Sequence, residues 1–317
     1  MSFLRVLAAA TALSLSAGGA SAQTTPATKV VIGFSGWTGF APLTLAKEAG
    51  IFAKNGLDVT LKKIPQKDRH LAIASGDIQC AATTVETWAV WAASGIETRQ
   101  IFQMDRSNGA DGMAVRNGIA SIKDLKGKTI GASAPGTAPY FTLAWMLKKN
   151  GLSPKDVTIV NLEPGPAAQA FVAGQNDAAV TYEPYLSTVR AKPEAGKILV
   201  TSVDYPVVVD TLVFRTDFIK KNPKIVKASV DSFFEALDMI KKEPAKAYEL
   251  MGSAVKQTGE QFGKSAQFIS WQDRAANKAY YAKEHQQFTT FAIDVLKFNR
   301  VVAKDIKPKD MVDLGFQ

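Results

Sequence analysis

The 317-residue chain is poor in the residue types that most often catalyse reactions or bind transition metals. It contains a single cysteine, Cys80, and only two histidines, His70 and His285. One cysteine excludes an intrachain disulfide framework, and so few soft ligands do not build a usual zinc site. Neither histidine falls in a predicted ligand-facing loop, and no P-loop or dinucleotide fingerprint occurs. We therefore expect a binding protein without cofactor or metal rather than an enzyme.

Long apolar runs are also scarce. The clearest one, Val6 to Leu15, follows Arg5 and precedes the small-residue pattern Ala20-Ser21-Ala22. This is the pattern of a secretory signal peptide, and the run is too short to span a bilayer, which takes about 20 residues. The sequence thus predicts a signal peptide over residues 1–22, cleavage after Ala22 and a periplasmic protein.

Charge of one sign is in excess but is not concentrated. The formal net charge is +9, yet lysines such as Lys220 and Lys224 are scattered through amphipathic segments. This distribution favours a solvated basic surface, and we expect no nucleic-acid partner. With 46% hydrophobic residues, the chain is long enough to bury a large core and to form about two domains.

An internal repeat gives the organisation of the chain. Gly33–Val59 (GFSGWTGFAPLTLAKEAGIFAKNGLDV) resembles Gly131–Val157 (GASAPGTAPYFTLAWMLKKNGLSPKDV), and Ile73–Glu86 is echoed by Val172–Glu183. Each unit has an apolar strand, a turn rich in small residues, a helix with Thr-Leu-Ala, and a strand with a glutamate at its exit. Two β-α-β-α units in series predict two mostly parallel sheets flanked by helices.

The repeat also predicts two lobes with a cleft between them. We expect one lobe from residues 28–111 plus 212–317 and the other from residues 112–211, with hinge crossovers at Asp111–Arg116 and Val207–Arg215. Ligands bind beyond the carboxyl ends of parallel strands. That rule selects four loops, which are Ser35–Phe40, Thr83–Glu86 (including Thr84), Ser133–Ala138 and Tyr182–Tyr185.

The loop Ser133–Ala138 has the features of an anion site. Proline after Ala138, and likewise after Ala41, places alanine at the predicted cap position, so the first helical N–H groups lack a side-chain acceptor. Gly136 lets the backbone approach a ligand. Alternatively, Ser133, Thr137, Thr38 or water satisfies these donors. Trp37, in a turn beside Thr38, is predicted to form a wall of the cleft.

Four carboxylates are candidates for the other end of a ligand. Glu86 fits a capping box with Thr83, so a purely structural role is at least as well supported. Glu183 precedes Pro184 and lacks that explanation, although helix-dipole stabilisation is an alternative. Asp210 lies in the apolar run VVVDTLVF, where a charge must be paired or face a cavity. Asp105 also reads as part of an ordinary turn.

These motifs, in this order, resemble an extracytoplasmic solute-binding protein of the class serving nitrate, sulfonate and taurine ABC importers. The resemblance rests on GWTGFAPLTLAKEAGIFAKNGLDV, DLKGKTIGASAPGTAPY, AFVAGQNDAAVTYEPY and VDTLVFRTDFIKKNP, and covers nearly all of the chain after the signal peptide. It implies a type II-like, two-lobed fold and docking on a membrane permease driven by an ATPase. It also implies an anionic ligand group at Ser133–Ala138 and an aspartate near the ligand at Asp210.

The expected ligand is a sulfonate, a taurine-like zwitterion or another compound with hydrogen-bond donors. Its anionic end would meet Gly136 and Thr137, its donor end Glu183, Asp210 and Glu86, and its body Trp37, Tyr182 or Tyr185. Relatives of this class also bind thiamine-pyrimidine precursors and other heterocycles, which is the alternative. An enzyme like the thiamine-pyrimidine synthases is a weaker one, since those have a cysteine-rich segment. A monomer is expected.

Overall fold

The computed structural model describes residues 28–317, so the predicted signal peptide lies outside the described residues. The strands are β1 (Thr28–Phe34), β2 (Leu57–Lys63), β3 (Cys80–Thr84), β4 (Thr98–Ser107), β5 (Asp111–Val115), β6 (Thr129–Ala132), β7 (Thr158–Asn161), β8 (Ala178–Tyr182), β9 (Lys197–Thr201), β10 (Val209–Arg215) and β11 (Ile269–Trp271).

Helices separate most of the strands up to β8, except between β4, β5 and β6, and dominate the C-terminal part. They are α1 (Ala41–Glu48), α2 (Ile51–Lys54), α3 (Arg69–Ser75), α4 (Val85–Ala93), α5 (Ala138–Lys149), α6 (Pro164–Val172), α7 (Tyr185–Arg190), α8 (Thr216–Lys221), α9 (Pro223–Lys242), α10 (Pro244–Ala254), α11 (Gly259–Ala266), α12 (Arg274–Lys283) and α13 (His285–Phe298). Short 3₁₀ helices occupy Thr38–Phe40, Ile122–Leu125, Pro154–Asp156 and Pro308–Met311.

Two sheets form the centres of two lobes. The first has the order β11-β4-β10-β3-β1-β2, and the second has the order β7-β6-β8-β5-β9. Pairs within each repeat unit are parallel, but β10 runs antiparallel to β3 and β4, and β5 runs antiparallel to β8 and β9. The prediction of mostly parallel sheets is therefore wrong in detail. The strands next to the lobe crossings add antiparallel pairs and make both sheets mixed.

The internal repeat is confirmed by the strand register. In the first lobe Gly33 pairs with Ala81, and in the second lobe Gly131 pairs with Ala179. The orders β2-β1-β3 and β7-β6-β8 are the same, so the two units fold alike. Counting onward from these pairs places Glu183 at the position of Val85 in the repeat, because Glu183 lies four residues after Ala179 and Val85 lies four residues after Ala81. The predicted equivalence of Glu86 and Glu183 is thus wrong by one residue.

The chain crosses between the lobes from β4 to β5 and from β9 to β10. Hydrogen bonds tie the two crossings together, since the hydroxyls of Ser107 and Ser202 lie 2.7 Å apart and the Gly109 N–H donates to Ser202 Oγ at 2.7 Å. Asp111 is the first residue of β5, close to the predicted boundary. The second predicted boundary, after residue 211, falls inside β10, which belongs to the first sheet.

Apolar layers cover both faces of the first sheet. Phe102 packs with Phe233 and Phe234 of α9 on one face, while Trp88 of α4 and Val295 of α13 lie in the cluster on the other. Burial of these large side chains supplies the main stabilisation of the lobe and fixes the strand ends that face the second lobe. Within residues 28–317, no helix is long and apolar enough to cross a membrane.

Candidate ligand-binding site

A small cavity lies between the lobes at the strand ends selected by the sequence. Its volume is about 20 Å³, which is room for about one water molecule. The lining residues are Ser35, Trp37, Phe40, Gln66, Thr84, Val208 and Asp210 of the first lobe and Asp111, Ala138 and Tyr182 of the second. Larger grooves open elsewhere, such as one of about 630 Å³ beside Trp145 and Phe291, but Asp111 and Asp210 line the smaller cavity.

Carboxylates come together at this cavity because of strand pairing. Asp210 of β10 pairs with Asp105 of β4 on one side and with Thr84 of β3 on the other. Asp111 opens β5 immediately after the first lobe crossing and lines the same cavity. Glu86 follows in the first turn of α4. We call Glu86, Asp105, Asp111 and Asp210 the acidic group.

The acidic group is buried and largely unsatisfied. Its members are at most 3% exposed. Among residues 28–317, both carboxylate oxygens of Glu86 and of Asp210 lack a hydrogen-bond donor, as do Oδ2 of Asp105 and of Asp111. Asp105 Oδ1 accepts a hydrogen bond from Trp37 Nε1 at 3.1 Å. A buried carboxylate without donors is costly, so this arrangement is suited to an occupant that brings them.

Burial changes the protonation of these side chains. It raises the pKa of Glu86 to about 8 and the pKa values of Asp105 and Asp111 to about 7. The pKa of Asp210 rises well above its ordinary value, first through burial and then through the charges of Asp105 and Asp111. Adjacent carboxylates on paired strands resist ionising together, so a positive charge placed between them would lower these pKa values again.

Arg69 is the buried cation beside the acidic group. Its Nε donates to Ile64 O at 2.9 Å and its Nη1 donates to Ala82 O, whereas its buried Nη2 has no hydrogen-bond partner among residues 28–317. Burial lowers the pKa of Arg69 to about 10, which leaves the guanidinium charged, and Asp210 lies within its electrostatic reach. One guanidinium is outnumbered by the four carboxylates of the acidic group.

Aromatic side chains form the cavity wall, at the positions that the sequence indicated. The rings of Trp37 and Tyr182 meet edge to face with centroids 5.3 Å apart, and both line the cavity. Thr38 is fully buried beside them, and its N–H donates to Glu183 O at 3.3 Å across the lobes. The ligand contacts expected of Trp37, Thr38 and Tyr182 stay predictions.

The start of α5 differs from the sequence-based expectation. Thr137 rather than Ala138 occupies the cap position, and Phe40 rather than Ala41 does so for α1, because each helix begins one residue earlier than predicted. Thr137 does not accept from the helix; its Oγ1 donates to Ala134 O at 2.7 Å. Ser133 Oγ donates to Leu162 O at 3.3 Å. Gly136 adopts a positive φ of 89°, as its turn requires.

The start of α4 also corrects a prediction. The helix begins at Val85 with Thr84 rather than Thr83 as the cap, so Thr87 is the third helical residue and Glu86 lies one position too early for a capping box. Thr84 Oγ1 instead donates to Thr87 Oγ1 at 2.9 Å. The structural explanation that the sequence offered for Glu86 is therefore wrong, and its carboxylate joins the acidic group.

The prediction for Glu183 is corrected in the opposite sense, since the structure gives this side chain a structural role. Its carboxylate is 0% exposed, forms an ion pair with Arg190 and accepts hydrogen bonds from Ser187 Oγ at 2.7 Å and Ser187 N at 3.2 Å. Ser265 Oγ of the first lobe lies 3.4 Å from the same carboxylate. The premise that this side chain lacks a structural role is wrong, because it neutralises Arg190 and holds the start of α7.

Three cavity residues escaped the sequence reasoning. Asp111 opens an apolar strand, the signal that selects Asp210, but its segment and the one containing Val208 are predicted only as hinges. Gln66 lies in the turn before α3, and nothing in its sequence context distinguishes it. In the described part of the chain, no group of three or more histidine, cysteine or acidic side chains is arranged to hold a metal ion.

Two α/β lobes with two crossings, and polar side chains facing a cavity between them, define the class of two-lobed periplasmic binding proteins. Comparison with known proteins agrees. The chain matches the NMT1/THI5 like family over residues 37–247, more than half of its length. The protein belongs to that family and is related to taurine- and sulfonate-binding proteins of ABC importers.

Named relatives and solved structures support the same placement. The chain is 30% identical over 205 residues to the taurine-binding periplasmic protein of Escherichia coli (strain K12); the match covers 63% of each protein, less than two thirds of that relative's length. It is 32% identical over 291 residues to the putative aliphatic sulfonates-binding protein of Bacillus subtilis (strain 168), covering 87% of this chain and 83% of that protein.

The fold agrees with that of a solved binding protein. The alkanesulfonate-binding protein SsuA from Xanthomonas axonopodis pv. citri, bound to MOPS, superposes with a TM-score of 0.76 at 18% identity. The superposition covers 91% of this chain and 99% of that one. The predicted two-lobed fold is therefore confirmed.

Proposed function

We propose that the protein is the extracytoplasmic solute-binding component of an ABC importer, and that its ligand is a small organic compound with a positively charged or strongly donating nitrogen group. Family membership supports the transport role and the partners, a membrane permease with its ATPase. The observation that carries the ligand class is the acidic group beside the interlobe cavity.

Electrostatics favour a donor-bearing ligand. An ammonium or amidinium brings several N–H donors and a charge to carboxylates that are otherwise buried at a cost. In a desolvated site this attraction is stronger than in water, and an anion in the same place would be repelled. Asp210 and Asp111 face the cavity from opposite lobes, so one cation between them would favour the closed arrangement.

The shape of the cavity narrows the ligand further. With a volume of about 20 Å³ the cavity has room for about one water molecule, so the lobes must separate before a ligand can enter. Trp37 and Tyr182 give the cavity an apolar wall. That wall also supports a second candidate, a flat heterocyclic amine such as an aminopyrimidine, because its ring would lie against aromatic side chains while its amino group met the acidic group.

The experiment is a thermal-shift screen of the purified mature protein against amines, zwitterionic sulfonates, aminopyrimidines, simple anions and divalent cations. A ligand that binds only the folded state raises the melting temperature. We expect the largest shifts with nitrogen-bearing compounds. Shifts confined to simple anions, or to divalent cations, would overturn the ligand class.

A variant pair then tests the site by calorimetry with the best compound. Asp210→Asn removes a charge from the acidic group and should weaken binding about 100-fold, because loss of a buried charged partner costs roughly 3 kcal/mol. Asp58→Asn is the matched control, since Asp58 is exposed on β2. Unchanged affinity in Asp210→Asn would remove the acidic group from the site.

A further inference from the structure

One side chain crosses the cleft beside the cavity and connects the lobes. Gln66 Nε2 donates to Thr84 Oγ1 of the first lobe at 3.1 Å, and Gln66 Oε1 accepts from the Ala138 N–H of the second lobe at 3.0 Å. Gln66 also lines the cavity. Its neutral amide therefore spans from the cap of α4 to the first residue of α5.

A side chain of the protein, Gln66, thus supplies the hydrogen-bond acceptor at the start of α5. A helix start of this kind, with its N–H groups pointing outward, attracts an anion. Here the Ala138 N–H is bonded to Gln66, Pro139 has no N–H, and the Phe141 N–H donates to Thr137 O at 2.9 Å. The hydroxyls of Ser133 and Thr137 also donate to carbonyls of the second lobe.

The backbone that carries Gln66 is held in place. The Ile64 N–H donates to Phe34 O at 2.9 Å, and the Asp68 N–H donates to Pro65 O at 3.0 Å. Arg69 fixes the same turn by donating to Ile64 O at 2.9 Å. A side chain presented from a fixed turn loses less conformational entropy on bridging the lobes, so its position is preorganised.

We propose that Gln66 determines specificity by occupying, with a neutral oxygen, the place that a ligand's anionic group would take at the start of α5. This inference rests on the proposed ligand class and narrows it to amines without an anionic end. A zwitterion would have to displace Gln66 from two hydrogen bonds and place its negative charge near the acidic group. Each of those changes opposes its binding.

Calorimetry with two matched probes tests the inference. Ethanolamine and taurine both carry an ammonium on a two-carbon chain, but only taurine ends in a sulfonate. We expect the wild-type protein to bind ethanolamine more tightly than taurine. Gln66→Ala should shift the ratio of the two affinities toward taurine by about tenfold or more, since a hydrogen bond to a charged group is worth roughly that factor.

Gln286→Ala is the matched control, because Gln286 is exposed on α13 away from the cavity. Its affinity ratio should equal that of the wild type. If Gln66→Ala weakens lobe closure in general, both affinities fall by the same factor, and their ratio does not change. Thermal melts of both variants establish that each is folded.

A second measurement detects the binding of an anion at the start of α5 directly. In a ¹⁵N-labelled sample, sodium methanesulfonate should shift the Ala138 amide signal of Gln66→Ala but leave that of the wild type in place. Tighter wild-type binding of taurine than of ethanolamine, or an unchanged ratio in Gln66→Ala, would overturn the role of Gln66 alone. Failure of the wild type to bind ethanolamine would overturn the inference, whereas the proposed ligand class falls only if no nitrogen-bearing compound of the thermal-shift screen binds.

Discussion

The two lobes repeat one fold but use the acid at the strand exit differently. In the first lobe Glu86 follows β3 and lies in the acidic group; among the described residues its carboxylate meets no donor. In the second lobe Glu183 follows β8 and is neutralised by Arg190 and Ser187. Similar sequence positions therefore carry opposite electrostatic states.

The helices that follow explain the difference. Arg190 ends α7, seven residues after Glu183, and turns back to it. In the repeat, Ala92 of α4 takes the place of Arg190, and the last turn of α4 carries no basic residue within the described chain. A carboxylate at a strand exit is therefore available for a ligand when the helix that follows carries no basic side chain to pair with it.

The largest expected effect is that of pH on the ligand-free protein. Burial holds the pKa of Glu86 at about 8 and those of Asp105 and Asp111 at about 7, whereas unfolded chains release these protons near pH 4. The folded state therefore binds more protons between these values. The contribution of these three carboxyl groups to the free energy of unfolding is fully present below about pH 4 and is lost as the pH rises to about 8.

We expect the free energy of unfolding, measured by urea titration, to fall by on the order of 4 kcal/mol from pH 5 to pH 8. A bound amine should flatten this slope because it stabilises the ionised carboxylates. In Asp210→Asn the slope should also be smaller. A stability that rises toward pH 8 would contradict the acidic-group assignment and place Glu86 in the same satisfied state as Glu183.

Much of the fold could be predicted because it is encoded locally. The repeated strand, turn and helix patterns predict the unit containing Gly33 and the unit containing Gly131, but the strand register shows that the predicted match of Glu86 with Glu183 is one residue out. The antiparallel strands could not be predicted in the same way. β5 and β10 have apolar sequences like their parallel neighbours, and only the direction in which the chain crosses between lobes makes them antiparallel.

The site could be predicted in part. Trp37 and Tyr182 line the cavity where the strand-end rule placed them, and so does Asp210, which was indicated by its charge in an apolar run. The pairing of Asp210 with Asp105 depends on a register shift next to Asp210 in β10, which no local pattern reveals. The state of Glu183 depends on where Arg190 points, and the role of Gln66 depends on the spacing between two lobes.

The next largest effect is expected when the structural role of Glu183 is removed. Glu183→Ala removes the partner of Arg190 and the acceptor of Ser187, so we expect a loss of about 3 kcal/mol in unfolding free energy. Urea denaturation measures this loss. Glu194→Ala is the control, because Glu194 forms an exposed pair with Lys192 and should change stability by less than about 0.5 kcal/mol. Unchanged stability with weakened ligand binding would instead give Glu183 the ligand contact predicted from the sequence.

The smallest expected effect is a change in unfolding free energy that has opposite signs in Glu86→Gln and in Glu183→Gln. Glu86→Gln replaces a buried charge with a neutral side chain whose N–H₂ can donate to the neighbouring carboxylates, so we expect a gain of about 1.5 kcal/mol at pH 8. At pH 5 the wild-type side chain is protonated, because burial holds its pKa at about 8, and the gain should vanish. Glu183→Gln at pH 8 should be destabilising, since the ion pair with Arg190 loses its negative partner. Urea denaturation of both variants at the two pH values measures these differences. If Glu86→Gln were destabilising at pH 8, Glu86 would have a stabilising partner, and the two strand exits would be equivalent after all.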